Sequence, residues 1–272
     1  MSLLLIELTL LVENHLRAFS TPHSAPQPRS PHSKLHPKVQ FNTQTFPLDI
    51  VHSHRIVAHK LQIQPPIMSL EVYPASPADA PELTQLFYAT FRSGLDTTMF
   101  PNTPDVTEWW ENAFSADITR SIARETNDLF LKVAEGSESG PVVAFAKWKR
   151  PVSAADRDRH EEQIVWPASS DKELCDRFFV DMEARHEKWM GERPHYYLDM
   201  LGVHPSYQGK GLGSKLLKWG LTRADAEGVE VYLSASPAGR PLYAKYGFKE
   251  VDTFSPYPNY VQVGMIRSPN AQ

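Results

Sequence analysis

The stretch Leu198-Asp199-Met200-Leu201-Gly202-Val203-His204-Pro205-Ser206-Tyr207-Gln208-Gly209-Lys210-Gly211-Leu212-Gly213-Ser214 reads as an apolar strand, a glycine-rich turn and the start of a helix. Gly209, Gly211 and Gly213 lack a Cβ, so successive backbone N–H groups can converge on one concavity and the chain can come close to a ligand. The helix expected to begin near Lys210 adds its unpaired first amides and the positive end of its dipole. Local physics thus predicts an anion site able to cradle a diphosphate, and leaves the anion unidentified.

Spacing separates the motifs that such a loop could belong to. A phosphate-binding P-loop needs G-x-x-x-x-G-K-[ST], which does not occur here, and a dinucleotide fingerprint needs a third glycine where this chain has Ser214. What stands here is Gln208-x-x-Gly211-x-Gly213. After the helix comes a β-branched and aromatic segment, Val229-Glu230-Val231-Tyr232-Leu233. Then follows Ser236-Pro237-Ala238-Gly239-Arg240-Pro241-Leu242-Tyr243-Ala244-Lys245-Tyr246-Gly247-Phe248. In this order and spacing the two stretches resemble motifs A and B of the GNAT superfamily of N-acetyltransferases. The resemblance covers residues 68–267 and is most specific over 197–251.

The resemblance implies an α/β fold, with a mixed, mostly antiparallel central sheet of about six to seven strands and helices on both faces. It implies acetyl-CoA as co-substrate and direct transfer of its acetyl group to an amine acceptor. The pyrophosphate would meet the amides of Gln208, Gly209, Lys210, Gly211, Leu212, Gly213 and Ser214. Leu201 and Val203 would offer backbone groups to the thioester and the pantetheine arm where the motif strand splays from its neighbour, with Gly202 allowing close approach. Ser236 stands where the family often has an asparagine near the pantetheine, and a hydroxyl can make one of those hydrogen bonds.

Acetyl transfer from a thioester needs a neutral amine, an oxyanion site and a proton for the departing thiolate. An aliphatic amine with a pKa of about 10 is nucleophilic in only about one part in a thousand at neutral pH. Tyr243, at the Leu-Tyr position of motif B, is the candidate acid, against the alternative of an aromatic packed through its ring, as expected of Tyr246. Strand alternation puts Tyr197, Asp199, Leu201 and Val203 on one face if no bulge intervenes. Tyr197 is a poor base at pH 7, which leaves Asp199, against the alternative that it only hydrogen-bonds a neighbouring element. His204 is expected to shape the turn. Cys175, the only cysteine, lies away from both motifs, permits no intrachain disulfide and suggests no covalent acyl-enzyme. No metal site is expected.

Residues 1–67 differ from the rest. They contain no glycine, seven of the 11 histidines and eight of the 23 prolines, with six Lys/Arg against three Asp/Glu. No amphipathic period survives those prolines, so this segment is expected to be a disordered or spurious extension, with the functional protein starting at Met68. The apolar start is too short to span a bilayer and lacks a basic n-region, which points to the cell interior, cytoplasmic with a mitochondrial presequence left open. Beyond it, 22 Lys/Arg face 29 Asp/Glu, an acidic balance that argues against a nucleic-acid partner.

Periodicity predicts a strand at 69–73, a helix started by Ser76-Pro77, a helix over 106–124, a hairpin of 129–134 with 142–148, and a helix over 170–190. Two further strands and an intervening helix follow the glycine-loop helix. The roughly 45 residues from Arg150 to Pro194 are a helical insertion relative to the resembling family. They would lie near the acceptor side of the cleft or cover a sheet edge. Tyr88, Trp109, Trp110 and Phe114 could form an aromatic wall for an amine or pack in the core. The acceptor is expected to be a small primary amine. A protein lysine or N-terminus, or a non-catalytic CoA-binding role, are the alternatives.

Overall fold

The computed structural model describes residues 69–152 and 164–270, all within one compact unit. The expectations for 1–67 and for the charged stretch 153–163 lie outside the described residues. The elements are β1 (Leu70–Pro74), α1 (Ala80–Thr90), α2 (Gly94–Met99), α3 (Pro104–Ala123), β2 (Asp128–Glu135), β3 (Val142–Lys149), α4 (Lys172–Met190), β4 (His195–Val203), α5 (Leu212–Glu227), β5 (Glu230–Ala235), α6 (Arg240–Lys245), β6 (Lys249–Tyr257) and β7 (Tyr260–Arg267). The seven strands form one sheet in the order β1-β2-β3-β4-β5-β7-β6. Every pairing is antiparallel except β4 with β5. A parallel pair cannot be joined by a tight turn, and α5 makes the crossover. The sheet and its helical layers are those the motifs imply, with one strand more after α6 than the periodicity predicts and a short α2 that it does not mark.

Each face of the sheet carries its own core. On one, α1 to α4 pack over residues such as Phe130, Phe145 and Phe254. On the other, α5 and α6 cover Val133, Trp148, Leu198, Leu233 and Met265. β3, Val-Val-Ala-Phe-Ala-Lys-Trp-Lys, is buried over nearly its whole length, as its continuous apolar run requires of a central strand. α5 buries Leu212, Leu216, Leu217, Leu221 and Ala224, a helical stripe, and stops at Gly228 in the left-handed region (φ 67°). At the entry to α1 the Asp79 carboxylate accepts the Ser76 N–H at 2.7 Å and the Lys132 ammonium at 2.7 Å, which ties the cap to β2.

The helix α4 is capped by Asp171, whose side chain accepts from the Leu174 N–H. Leu174, Cys175 and Phe178 face the first core. At its far end the Trp189 indole donates to Asp252 on β6 at 3.0 Å, and Arg185 reaches the same carboxylate at 2.9 Å. Between these ends the His186 Nε2 lies 2.7 Å from His195 Nε2 on β4. The helix is therefore fixed to the sheet along its length.

Candidate active site

The pairing of β4 with β5 stops at Leu198 opposite Leu233, while β4 stays paired with β3 as far as Val203. From Asp199 onward the two parallel strands diverge and leave a gap in the sheet. The His204 N–H donates to Val143 O, so by antiparallel alternation the backbone groups of Leu201 and Val203 face away from β3 and into the gap. The Gln208 side chain already uses one of them, donating to Val203 O at 3.2 Å. Gly202 is bare for another reason than the one expected: a Cβ there would lie 2.5 Å from the Phe145 ring across the strand pair. Phe145 fills that space from the opposite core.

The expectation that Tyr197, Asp199, Leu201 and Val203 share one face is corrected by a bulge. Trp148 pairs with Leu198 and Lys147 with Met200, so Asp199 is the extra residue on β4. The alternation inverts there. Tyr197 packs with Met190 and Tyr232, whereas Leu201 and Val203 pack toward α5. Burial holds the Tyr197 phenol far above its ordinary range, so it stays protonated. The Asp199 side chain is 2% exposed and lies 3.7 Å from the Lys147 ammonium, which also meets Asp117 at 2.8 Å and Asp128 at 3.6 Å. Burial alone would lower the lysine, but these three carboxylates outweigh it and raise it well above its ordinary value.

At the mouth of the gap, Gly209 and Gly211 take φ of 75° and 81°, conformations that L side chains rarely adopt, with nothing within 4 Å of where their Cβ atoms would be. Gly211 caps α5, which starts at Leu212 rather than Lys210, so the helix amides at Leu212, Gly213 and Ser214 follow directly on an open turn. Gly213 differs: its Cβ would touch Leu242 and Leu201, so it serves the packing of helix on strand. The His204 side chain accepts from the Ser206 N–H and shapes the preceding turn. The Lys210 ammonium sits 4.2 Å from the centre of the Tyr207 ring, at the surface of the loop. Nothing within 4 Å of the Gly209 and Gly211 Cβ positions, together with the α5 N-terminus, fits a diphosphate in the concavity.

Tyr243 projects from α6 and is 8% exposed. Burial raises its phenol above the ordinary tyrosine range, so it keeps its proton. Ser236 accepts the Gly239 N–H through its hydroxyl at 3.2 Å and so caps the turn into α6. Asp199, Leu201, Ser236 and Tyr243 all line one cavity of about 130 Å³. Much of its remaining wall is apolar and comes from α1 to α4 and the turns between them, while Asp96, Ser234, Tyr260 and Gln262 add polar groups; of the four expected wall residues, Trp110 reaches it. Tyr88 instead bonds Thr107, the Trp109 indole donates to Val165 O at 3.0 Å, and Phe114 packs against Phe130 and Phe145.

Three contributors carry no motif: Lys147 beside Asp199, Gln262 on β7 and the Phe178–Met182 side of α4. Only the length of the insertion hinted at the last. Cys175 is buried, with its thiol pushed up to about 12 by burial and nearby acidic groups, and does not line the cavity.

Residues 161–250 match the model of the acetyltransferase (GNAT) domain, a span that contains both motifs, the bulged strand and Tyr243. A curated acetyltransferase of Stachybotrys chartarum is 31% identical over 85 residues, covering 30% of this chain and 36% of that protein's length. Among solved structures, the C-terminal condensation domain of Ebony superposes with a TM-score of 0.53 at 11% identity, covering 74% of this chain and 100% of that one. The PaiA N-acetyltransferase of Thermoplasma acidophilum, in complex with coenzyme A, gives a TM-score of 0.44 at 18% identity over 74% of this chain and 99% of that one. Motif order and family match agree on residues 161–250 as the stretch similar to a GNAT acetyltransferase domain.

Proposed function

We propose that this protein transfers the acetyl group of acetyl-CoA to the nitrogen of a small primary amine, directly and without a covalent enzyme intermediate. The observation that carries the reading is that Asp199 and Tyr243 line one cavity with Leu201 and Ser236, at the open end of the β4–β5 gap. The glycine turn and the first amides of α5 would hold the pyrophosphate. The backbone of Leu201 and Val203 would direct donors at the thioester. Bound acetyl-CoA supplies an activated acetyl carbon.

The chain's own residues then move the protons. Asp199 takes the proton that the amine nitrogen sheds as its bond to carbon replaces the carbon–sulfur bond. Tyr243 gives its phenolic proton to the sulfur and is reprotonated from solvent. A buried thiol with a raised pKa gives no nucleophile for a two-step route, since the reactive form is the thiolate. A cavity of about 130 Å³ lined largely by aromatic side chains suits a small acceptor better than a lysine presented on a protein. The test is release of CoA thiol by the full chain with acetyl-CoA and a panel of aryl amines, polyamines, amino acids, amino sugars and short peptides. Amine-dependent release supports the reading. Release with peptides alone would replace the small acceptor by a protein one.

A further inference from the structure

The cavity is chemically lopsided. Phe87, Phe100, Trp110, Phe178, Phe179 and Met182 form its apolar wall, and none of the described residues that line it is a lysine, arginine or histidine. Its acidic groups are Asp199 and Asp96. Burial raises the Asp96 carboxyl even though Ser93 hydrogen-bonds it, so an anion there is electrostatically costly without a cation nearby. Ser234, Ser236, Tyr243, Tyr260 and Gln262 are the cavity's uncharged polar residues, and Gln262 on β7 is 5% exposed. Its Nε2 donates to Ser234 O at 3.0 Å, which fixes the amide's orientation and leaves Oε1 buried without a hydrogen-bond partner. A buried acceptor left unpaired is destabilising, and a donor from a ligand would offset that cost.

Resting on the acetyl-transfer reading, we propose that the acceptor is a primary amine on an apolar body about one aromatic ring in size, bearing no anionic group, and that Gln262 positions its nitrogen. An ammonium group brings N–H donors and a positive charge, which the Gln262 Oε1 and the two carboxylates complement. An apolar cavity of about 150 Å³ takes up benzene, so about 130 Å³ admits one ring. A carboxylate or phosphate on the acceptor would enter a wall with no cation in its lining, beside Asp96 and Asp199, and the Lys147 ammonium behind Asp199 is already shared among three carboxylates, so like charges would repel it.

The full chain is assayed with acetyl-CoA and, in parallel, β-phenylethylamine, phenylalanine and putrescine, and binding of each to the protein with CoA is measured by calorimetry. We expect kcat/KM for β-phenylethylamine to exceed that for phenylalanine by at least about 100-fold. Putrescine should also be the poorer substrate. Gln262→Leu should weaken β-phenylethylamine binding about tenfold or more and leave CoA binding unchanged. Phe178→Trp, which fills the cavity from α4, should do the same without touching a polar group. Equal or better use of phenylalanine or putrescine overturns the substrate class while acetyl transfer stands. Binding of β-phenylethylamine that both variants weaken, with no turnover of any amine, supports the amine pocket and removes the transferase reading. Neither binding nor turnover of β-phenylethylamine overturns the inference.

Discussion

In the proposed transfer Asp199 and Tyr243 divide the proton traffic, and each predicts a different kinetic signature. Tyr243→Phe keeps the ring and deletes the donor, so kcat should fall about 100-fold or more while acetyl-CoA affinity measured by titration stays put. An unchanged kcat, with chemistry shown to limit the rate, would remove Tyr243 from the mechanism. Asp199→Asn should lower kcat/KM by about 100-fold wherever its pH profile is measured. A profile that overlays the parent enzyme would leave Asp199 a structural partner of Lys147. The two positions differ in how far the sequence reveals them. Tyr243 follows from its place in the Leu-Tyr-x-Lys-x-Gly-Phe run. Asp199 follows from its place on the motif strand, but not from alternation, because the bulge that sets its direction depends on how β3 pairs with β4. Lys147 and Gln262 belong to strands with no motif, and only tertiary structure brings them to the site.

At the scale of elements, the glycine turn is the most legible part and the acceptor wall the least. Gly211 holds φ 81° with open space about it. A valine there would both strain the backbone by about 1–2 kcal/mol and crowd the concavity. We expect Gly211→Val to raise KM for acetyl-CoA tenfold or more with a smaller change in kcat, read from initial rates; an unaffected KM would contradict the cradle. Loop spacing makes that prediction possible from sequence, because glycine is needed for local reasons. The wall is different. Phe178, Phe179 and Met182 sit on a helix whose apolar stripe could serve either a core or a cavity, and its contacts with α2 and β6 decide. The indole of Trp109, equally prominent in sequence, turns away to Val165.

Across the whole molecule, buried and half-buried carboxylates staple the helices to the sheet. Burial would raise Asp117, but Lys147 and Arg120 outweigh it and hold the carboxyl below its ordinary value. Burial likewise opposes, and the Trp189 and Lys188 hydrogen bonds then hold, Asp252 at about 2. A carboxylate whose pKa is depressed on folding contributes stability that is present above its unfolded value near 4 and lost as pH falls through the folded one. The urea midpoint should therefore hold between pH 5 and 7 and decline from about pH 4 toward 2. Asp252→Asn should remove part of that decline. Asp117→Asn should cost about 3 kcal/mol at neutral pH, since it breaks a buried pair. A decline of the same size in Asp252→Asn would show that these contacts do not carry the acid sensitivity. Layering and most of the strand sequence were readable from hydrophobic period. β7 was not, because β6 ahead of it is largely polar and exposed and its pairing with β7 shifts register twice, so no clean alternation marks off two strands. None of the helices among the described residues is long and apolar enough to cross a membrane.

The central claim is that acetyl passes in one step from acetyl-CoA to an amine held in the cavity between Asp199 and Tyr243. Initial rates of CoA release, with acetyl-CoA and the best amine of the panel both varied, test it most directly. Double-reciprocal lines that intersect, with one acetylated amine formed per CoA released, are the predicted result. Parallel lines with acetyl found on the protein, or CoA release that does not depend on the amine, would contradict it.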